Sequence, residues 1–307
     1  MSNDHSAAAR ELLVERWLDD AHVLAHRLEQ VHLPEGFPFD WTPASLTDLE
    51  AALLADEEGP DEEFERAACV YVGEILMDVC GGRWGLDTDA DPVDGEPVVE
   101  PDPALGLPPV SLPGLIAVAV AVGSGHELTG ERERLLAAVE AHRAAVPGWE
   151  PVKERSPLDP LGPQPEDPWL TGRLREREEA FPAWAAAAPA AGPWDFSLDS
   201  LDRLEDLVRG RYATTEAFDA DLDGAFLTGA VWYLGEVVRR HGDSVWLHWA
   251  EDPGAERGSH HHPDNPWSGL PFLHQPHRRG ARPLDPVETL RGVVRYGDAY
   301  RLRGLVP

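Results

Sequence analysis

The sequence predicts an α+β fold made of two tandem copies of one unit, and three observations lead there. First, two fifteen-residue stretches match: VYVGEILMDVCGGRW at 70–84 and WYLGEVVRRHGDSVW at 232–246 share Tyr, Gly, Glu and a closing Trp at the same places. Second, matched segments flank each stretch in the same order. FDWTPASLTDLEAALL from 39 and WDFSLDSLDRLEDLV from 194 precede it; PVSLPGLIAVAVAVG from 109 and PLDPVETLRGVVRYG from 283 follow it. Third, helical spacing of apolar residues gives way in each copy to short strand-like runs. The matched blocks lie 155, 162 and 174 residues apart. The offset grows only between blocks, where loops tolerate insertion. A period this long implies two domains rather than a solenoid.

Each element follows from local chemistry. Residues 7–31 form an amphipathic helix with Leu12, Leu13, Trp17, Leu24 and Leu28 on or near one stripe. Thr42 and Ser197 are the expected N-caps of the next helix, with Pro43 at its first position, where a missing donor costs nothing. Leu46, Leu49 and Leu53, and Leu201 and Leu204 with Leu207 nearby, give the stripe of that helix. The motif helix is expected over about 62–79 and about 217–240, ending at Gly81-Gly82 and at Gly242. RWGLD and PVVEP in the first copy, and SVWLHWA in the second, read as strands. A last helix closes each unit, near 111–122 and 285–296. Further helices are expected at 129–146 and 169–188, around a proline-rich connector. The expected division is therefore 1–38 as an N-terminal helix, 39–128 as the first repeat, 129–193 as a helical and proline-rich linker, and 194–307 as the second repeat.

The recurring residues have a structural explanation. Tyr233 and Glu236 share a helix face, as do Tyr71 and Glu74. Glycine inside a helix costs about 1 kcal/mol relative to alanine. Its presence at Gly73 and Gly235 implies a close approach by another group. Trp84 and Trp246, just past the turn, are placed to cover that glycine face, with the indole N–H seeking the nearby glutamate. The alternative makes Glu74 and Glu236 general acids or bases. No second acid, histidine or nucleophile recurs beside them, so no catalytic residue is assigned.

Other features point less directly. Seven histidines crowd the second copy, and HHHPDNPWSGLPFLHQPH carries residue types suited to zinc or nickel. His248, His260, His262 and His274 are the candidate ligands, although no helix-spaced pair occurs. The bland reading is an extended, solvated loop. DADLDG at 219–224 resembles the start of a calcium loop, but the twelfth position is Ala230, where a bidentate Glu is required. The segment reads instead as acids in the first turn of the motif helix. Cys69 and Cys80 read as buried small hydrophobes in preference to a redox pair. No cofactor motif is present, and the longest apolar run, at 114–123, is too short to span a bilayer. Without a positively charged leader pattern, a cytoplasmic location is expected.

Charge is the strongest global signal. The chain has 56 acidic and 26 basic residues, and residues 1–150 hold 31 of the acids against 8 bases. Such a surface repels nucleic acid and anionic lipid and attracts a basic protein.

The repeated blocks resemble a domain of uncharacterised bacterial, notably actinobacterial, proteins whose pattern runs D-[FW]-[ST]-P-x-S-L, then Y-L-G-E-V, then G-G-R-W. The first copy carries Asp40, Trp41, Thr42, Pro43, Ser45, Leu46, Tyr71, Gly73, Glu74, Gly81, Gly82, Arg83 and Trp84 of it. The second carries Asp195, Phe196, Ser197, Ser200, Leu201, Tyr233, Leu234, Gly235, Glu236, Val237 and Trp246, and departs from it by losing Gly-Gly-Arg. The resemblance implies a fold and no activity. In general style the chain is also similar to immunity proteins of bacterial toxin systems. The leading expectation is a non-enzymatic acidic protein-binding module, an immunity or regulatory protein for a basic partner, of open oligomeric state. The alternative is a metal-dependent enzyme or small-ligand binder that uses the His-rich loop.

Overall fold

The computed structural model describes residues 2–55, 59–90, 95–188, 192–256 and 259–305, with side chains from residue 11 onward. The chain is mixed helix and strand and divides into two compact units, Met1–Asp159 and Pro160–Pro307. Among the described residues no helix is long and apolar enough to cross a membrane.

The first unit is built around one buried helix. Its elements are α1 (Ser2–Arg27), α2 (Ser45–Ala55), α3 (Glu62–Cys80), β1 (Arg83–Asp87), β2 (Glu96–Glu100), β3 (Val110–Ser111), α4 (Leu112–Val122) and α5 (Glu127–Ala145). Asp61 caps α3 by accepting the Phe64 N–H at 2.7 Å. From Ala67 to Met77 every residue of α3 is buried, as expected of a helix that is apolar on all sides. α1, α4, α5 and the sheet pack around it. The sheet is antiparallel in the order β1-β2-β3, with Trp84 opposite Val99. On α1, Trp17 and Leu24 are buried, as is Leu28 at the start of the π-helical turn Leu28–His32 that continues it, whereas Leu12 is exposed and lies off the stripe.

The second unit contains α6 (Pro168–Ala187), α7 (Asp199–Arg211), α8 (Thr215–Asp219), α9 (Ala225–His241), β4 (Val245–His248), β5 (Pro271–His274) and α10 (Pro286–Tyr296). β4 and β5 form an antiparallel pair with Trp246 opposite Leu273. α9 lies against α6, α10 and both strands.

Four expectations change. The helices expected within a linker at 129–193 belong to the units. α5 buries Leu128, Leu135 and Val139 in the first core, and α6 buries Leu170 and Trp184 in the second. Thr42 and Ser197 are not N-caps. α2 begins at Ser45 and α7 at Asp199, and the Thr42 and Ser197 amides are held by Asp40 and Asp195. The motif helix of the second copy is interrupted: Asp219 ends α8, and 220–224 is a turn between α8 and α9, not a first helical turn. The Gly224 N–H bonds the Asp221 carbonyl, and the Tyr212 hydroxyl bonds the Asp221 carboxylate at 2.5 Å. Finally, Pro271–His274 is strand rather than loop, paired with β4 through Phe272 and Leu273. Part of the acidic run after β1, residues 91–94, lies outside the described residues.

Candidate functional site

The recurring residues form the same three constellations in each unit. The first fixes a strained aromatic. Trp41 and Phe196 both have φ of 59°, a left-handed conformation uncommon for bulky side chains. The Trp41 N–H donates to the Tyr71 hydroxyl at 3.0 Å, and the Phe196 N–H donates to the Tyr233 hydroxyl at 2.9 Å. Tyr71 shares a 2.7 Å bond with Ser45, which donates to the Thr42 carbonyl at 2.7 Å. Tyr233 donates to Ser200 at 2.7 Å, and Ser200 donates to the Ser197 carbonyl at 2.6 Å. Each chain of bonds satisfies a backbone donor that the positive φ removes from any helix or strand. Burial pushes both phenols above their ordinary pKa, which keeps the hydroxyl proton on the tyrosine.

The second constellation explains the helical glycines. A Cβ at Gly73 would stand 2.2 Å from the Trp84 ring, and one at Gly235 would stand 2.0 Å from the Trp246 ring. The Trp84 indole donates to Glu74 at 2.9 Å and the Trp246 indole to Glu236 at 3.1 Å. The third places a buried carboxylate on backbone donors that no helix or strand pairs. Glu50 accepts the Glu127 and Leu128 N–H groups at 3.0 and 2.9 Å, at the start of α5. Glu205 accepts the Leu302 N–H at 2.6 Å and also meets Arg209 and Arg301 at 3.0 Å each. Sequence reasoning placed Ser45, Glu50, Ser200 and Glu205 only in a matched helix. Their recurrence was the available signal for the networks.

The units differ in what neutralises the motif glutamate. In the first, Lys153 comes from a segment that follows α5. Its ammonium lies 2.7 Å from Glu74, 3.2 Å from Asp78 and 2.6 Å from Asp159. Burial lowers the lysine pKa, but these carboxylates outweigh it and hold the value above the ordinary range. In the second, Arg239 takes Glu236 through two bonds of 3.0 and 2.8 Å, and Arg240 approaches to 3.4 Å. Burial pushes the Glu236 carboxyl up, and its bonds from Arg239 and Trp246 with the two nearby guanidinium charges bring it below its usual range.

The histidines go to separate places. His248 on β4 bonds Asp167 at 2.6 Å and stacks on Trp169 at 4.2 Å. His260 stacks on Trp249 at 4.2 Å. His262 accepts the Asp264 N–H at 3.0 Å, and His274 is buried in β5. Among the described residues, no three His, Cys, Asp or Glu side chains form a group that could hold a metal ion. Cys69 and Cys80 are buried and free, and burial pushes the Cys80 thiol up to about 12. At neutral pH that thiol is protonated, so it packs rather than reacts.

The second unit contains a cleft of about 1050 Å³, large for a ligand pocket. α6, the end of α9, β4 and the residues before α6 line it, with Glu236, Arg239, Arg240, Trp232, Trp246 and Trp249 on its walls. Comparison of this chain with protein-family models, with curated proteins and with solved structures gives no match.

Proposed function

We propose that this chain is a non-enzymatic protein-binding module of the cytoplasm, an immunity or regulatory protein for a basic partner, built by tandem duplication of one α+β unit. The duplication reading rests on the three constellations above, which recur at matched positions and span more of each unit than the motif alone. It extends to α1 and α6, each of which packs on the motif helix of its own unit.

The binding reading rests on one observation, the outward face of α4. From Pro103 to Gly125 no residue is charged. Gly114, Ala117, Val118, Ala121 and Val122 are exposed there, Val118 and Val122 by 47% and 59%. The matched helix α10 instead exposes Glu288 and Arg295. An apolar strip on a soluble surface is the usual mark of a covered face. The unit that presents it holds 33 acidic and 10 basic residues, which sets the sign of the partner.

The test is retention of proteins from lysate on the wild-type chain and on Val118→Asp, at low and moderate salt, with mass spectrometry of what is held. Val118 is exposed, so the variant should melt like the parent. One basic protein, held at low salt by the wild type and lost with the substitution, is the expected result. Equal retention by both chains, or no retained protein, overturns the reading.

A further inference from the structure

Lys153 beside Glu74 and Arg240 beside Glu236 put the two motif glutamates in different company. In the first unit, residues 152–159 form a strap laid across the motif. The Val152 carbonyl accepts the Gly82 N–H at 2.8 Å, and the Glu154 N–H donates to the Gly82 carbonyl at 2.7 Å. The Val152 N–H donates to Asp102 at 2.9 Å, and Leu158 is buried in the core. Between these anchors Lys153 reaches the receptor formed by Glu74 and Asp78. The strap is an extended peptide held by backbone pairing at one residue and by one charged side chain in a pocket, the general manner of strand addition.

In the second unit three of the four residues matched to that receptor line the cleft; the fourth, Ser244, is buried, and its neighbour Val245 lines the cleft. Glu236 stands for Glu74, Arg239 for Met77, Arg240 for Asp78, and Ser244 for Gly82. Glu236, Arg239, Arg240 and Trp246 all face the cleft. The charge of the receptor is reversed. Glu236 is already taken by two guanidinium groups, which remain 43% and 40% exposed. The cleft wall also carries Glu166, Asp167 and Glu178, but Asp167 is bonded to His248 and Glu178 lies by Arg239, so beside Arg240 a lysine would meet guanidinium charge, and like charges brought together discriminate against a partner. A carboxylate would meet planar guanidinium donors suited to it.

We propose that this cleft binds an extended, acidic segment of a partner protein, laid against Val245 and Trp246 of β4 next to the position that matches Gly82, with one carboxylate on Arg240. The chain's net charge opposes such a ligand at long range. That repulsion is screened beyond about 8 Å at physiological salt, whereas the contact with Arg240 is not.

The probe is a fluorescent peptide of residues 150–159 carrying Lys153→Glu and a photo-crosslinking group, compared with the unaltered peptide. Both are titrated onto the full chain at physiological salt. The chain's own strap is intramolecular, with an effective concentration on the order of mM, so micromolar peptide does not displace it. The Lys153→Glu peptide should bind about tenfold more tightly and crosslink within residues 232–249. Arg240→Asp, which puts back the carboxylate that Asp78 supplies in the first unit, should reverse the preference. Arg240→Met, which adds no charge, should abolish it and serves if Arg240→Asp does not fold. Equal binding of the two peptides, a preference unchanged in both variants, or crosslinks confined to residues 1–159 would overturn the proposal.

Discussion

Trp84 lies directly on Gly73, so close that a single added methyl would sit 2.2 Å from its ring. The contact is compulsory because the indole N–H is anchored 2.9 Å away on Glu74, one residue along the same helix. The ring cannot slide off without losing that bond, and the helix cannot move while its neighbours fill the core.

Gly73→Ala and Gly235→Ala are therefore expected to destabilise. Alanine gains about 1 kcal/mol of helix propensity. Overpacking against a fixed ring costs about 1 to 3 kcal/mol. The obstructing atoms are ring carbons rather than the tip of a flexible chain, so the loss wins. Trp84→Ala and Trp246→Ala should each cost about 3 to 5 kcal/mol. Denaturant melts measure all four, and a tryptophan variant that melts like the parent would refute the packing account.

Tyr71→Phe and Tyr233→Phe isolate the hydroxyl from the ring. Each leaves the backbone N–H of a left-handed aromatic, Trp41 or Phe196, without its acceptor. An unsatisfied donor of this kind costs about 1 to 3 kcal/mol. Ser45→Ala should cost less than Tyr71→Phe, because it removes a relay and leaves the Trp41 bond in place. The reverse order in urea melts would mean that the serine, not the phenol, holds the turn.

What could be read from the sequence was whatever recurs as a side chain. Tyr71, Gly73, Glu74 and Trp84 have counterparts at Tyr233, Gly235, Glu236 and Trp246, and the indole–carboxylate contact follows from their spacing. What escaped reading depends on backbone angle or distant contact. Thr42-Pro43 has the composition of a helix start, yet the left-handed φ at Trp41 turns the Thr42 amide to Asp40 instead. The break between α8 and α9 falls in a run whose flanking apolar spacing looks continuous. At the break the Asp221 carboxylate accepts the Tyr212 hydroxyl and its carbonyl accepts the Gly224 N–H, contacts that apolar spacing does not reveal. β5 is four residues long, begins with proline, and is specified by its partner β4. Lys153 was visible as the sole lysine, but its carboxylate receptor lies 79 residues away.

Glu50→Ala should open the start of α5 without unfolding the unit. Its carboxylate accepts two of the N–H groups that a helix leaves unpaired in its first turn. The Leu128 amide is buried, so water does not replace the lost acceptor well. The expected cost is about 1 to 3 kcal/mol. Hydrogen exchange should speed at residues 127 and 128 more than along α3. Uniform acceleration across the first unit would show that Glu50 supports the whole core rather than one helix end.

Lys153→Met tests the strap and carries a pH signature. The substitution strands Glu74, which is fully buried, beside an apolar group. Removing one partner of a buried ion pair costs about 3 to 5 kcal/mol. The pH dependence has a definite sign. The Lys153 pKa is raised in the folded chain, so its contribution is complete below the ordinary lysine value and fades as pH rises through the folded value. Tyr71 and the buried thiols of Cys69 and Cys80, also raised, behave the same way: the thiol share of first-unit stability begins to be lost above the ordinary cysteine value of about 8.5, and the tyrosine and lysine shares above about 10. Between the unfolded and folded lysine values, the folded state holds up to one proton more, a slope of at most about 1.4 kcal/mol per pH unit. Lys153→Met removes that share of the slope and leaves the tyrosine and cysteine shares. Urea melts between pH 8 and pH 11 on both chains provide the comparison. Wild type should lose stability more steeply than the variant. Parallel curves would mean that Lys153 is solvated in both states and that the strap is held by its backbone bonds to Gly82 alone.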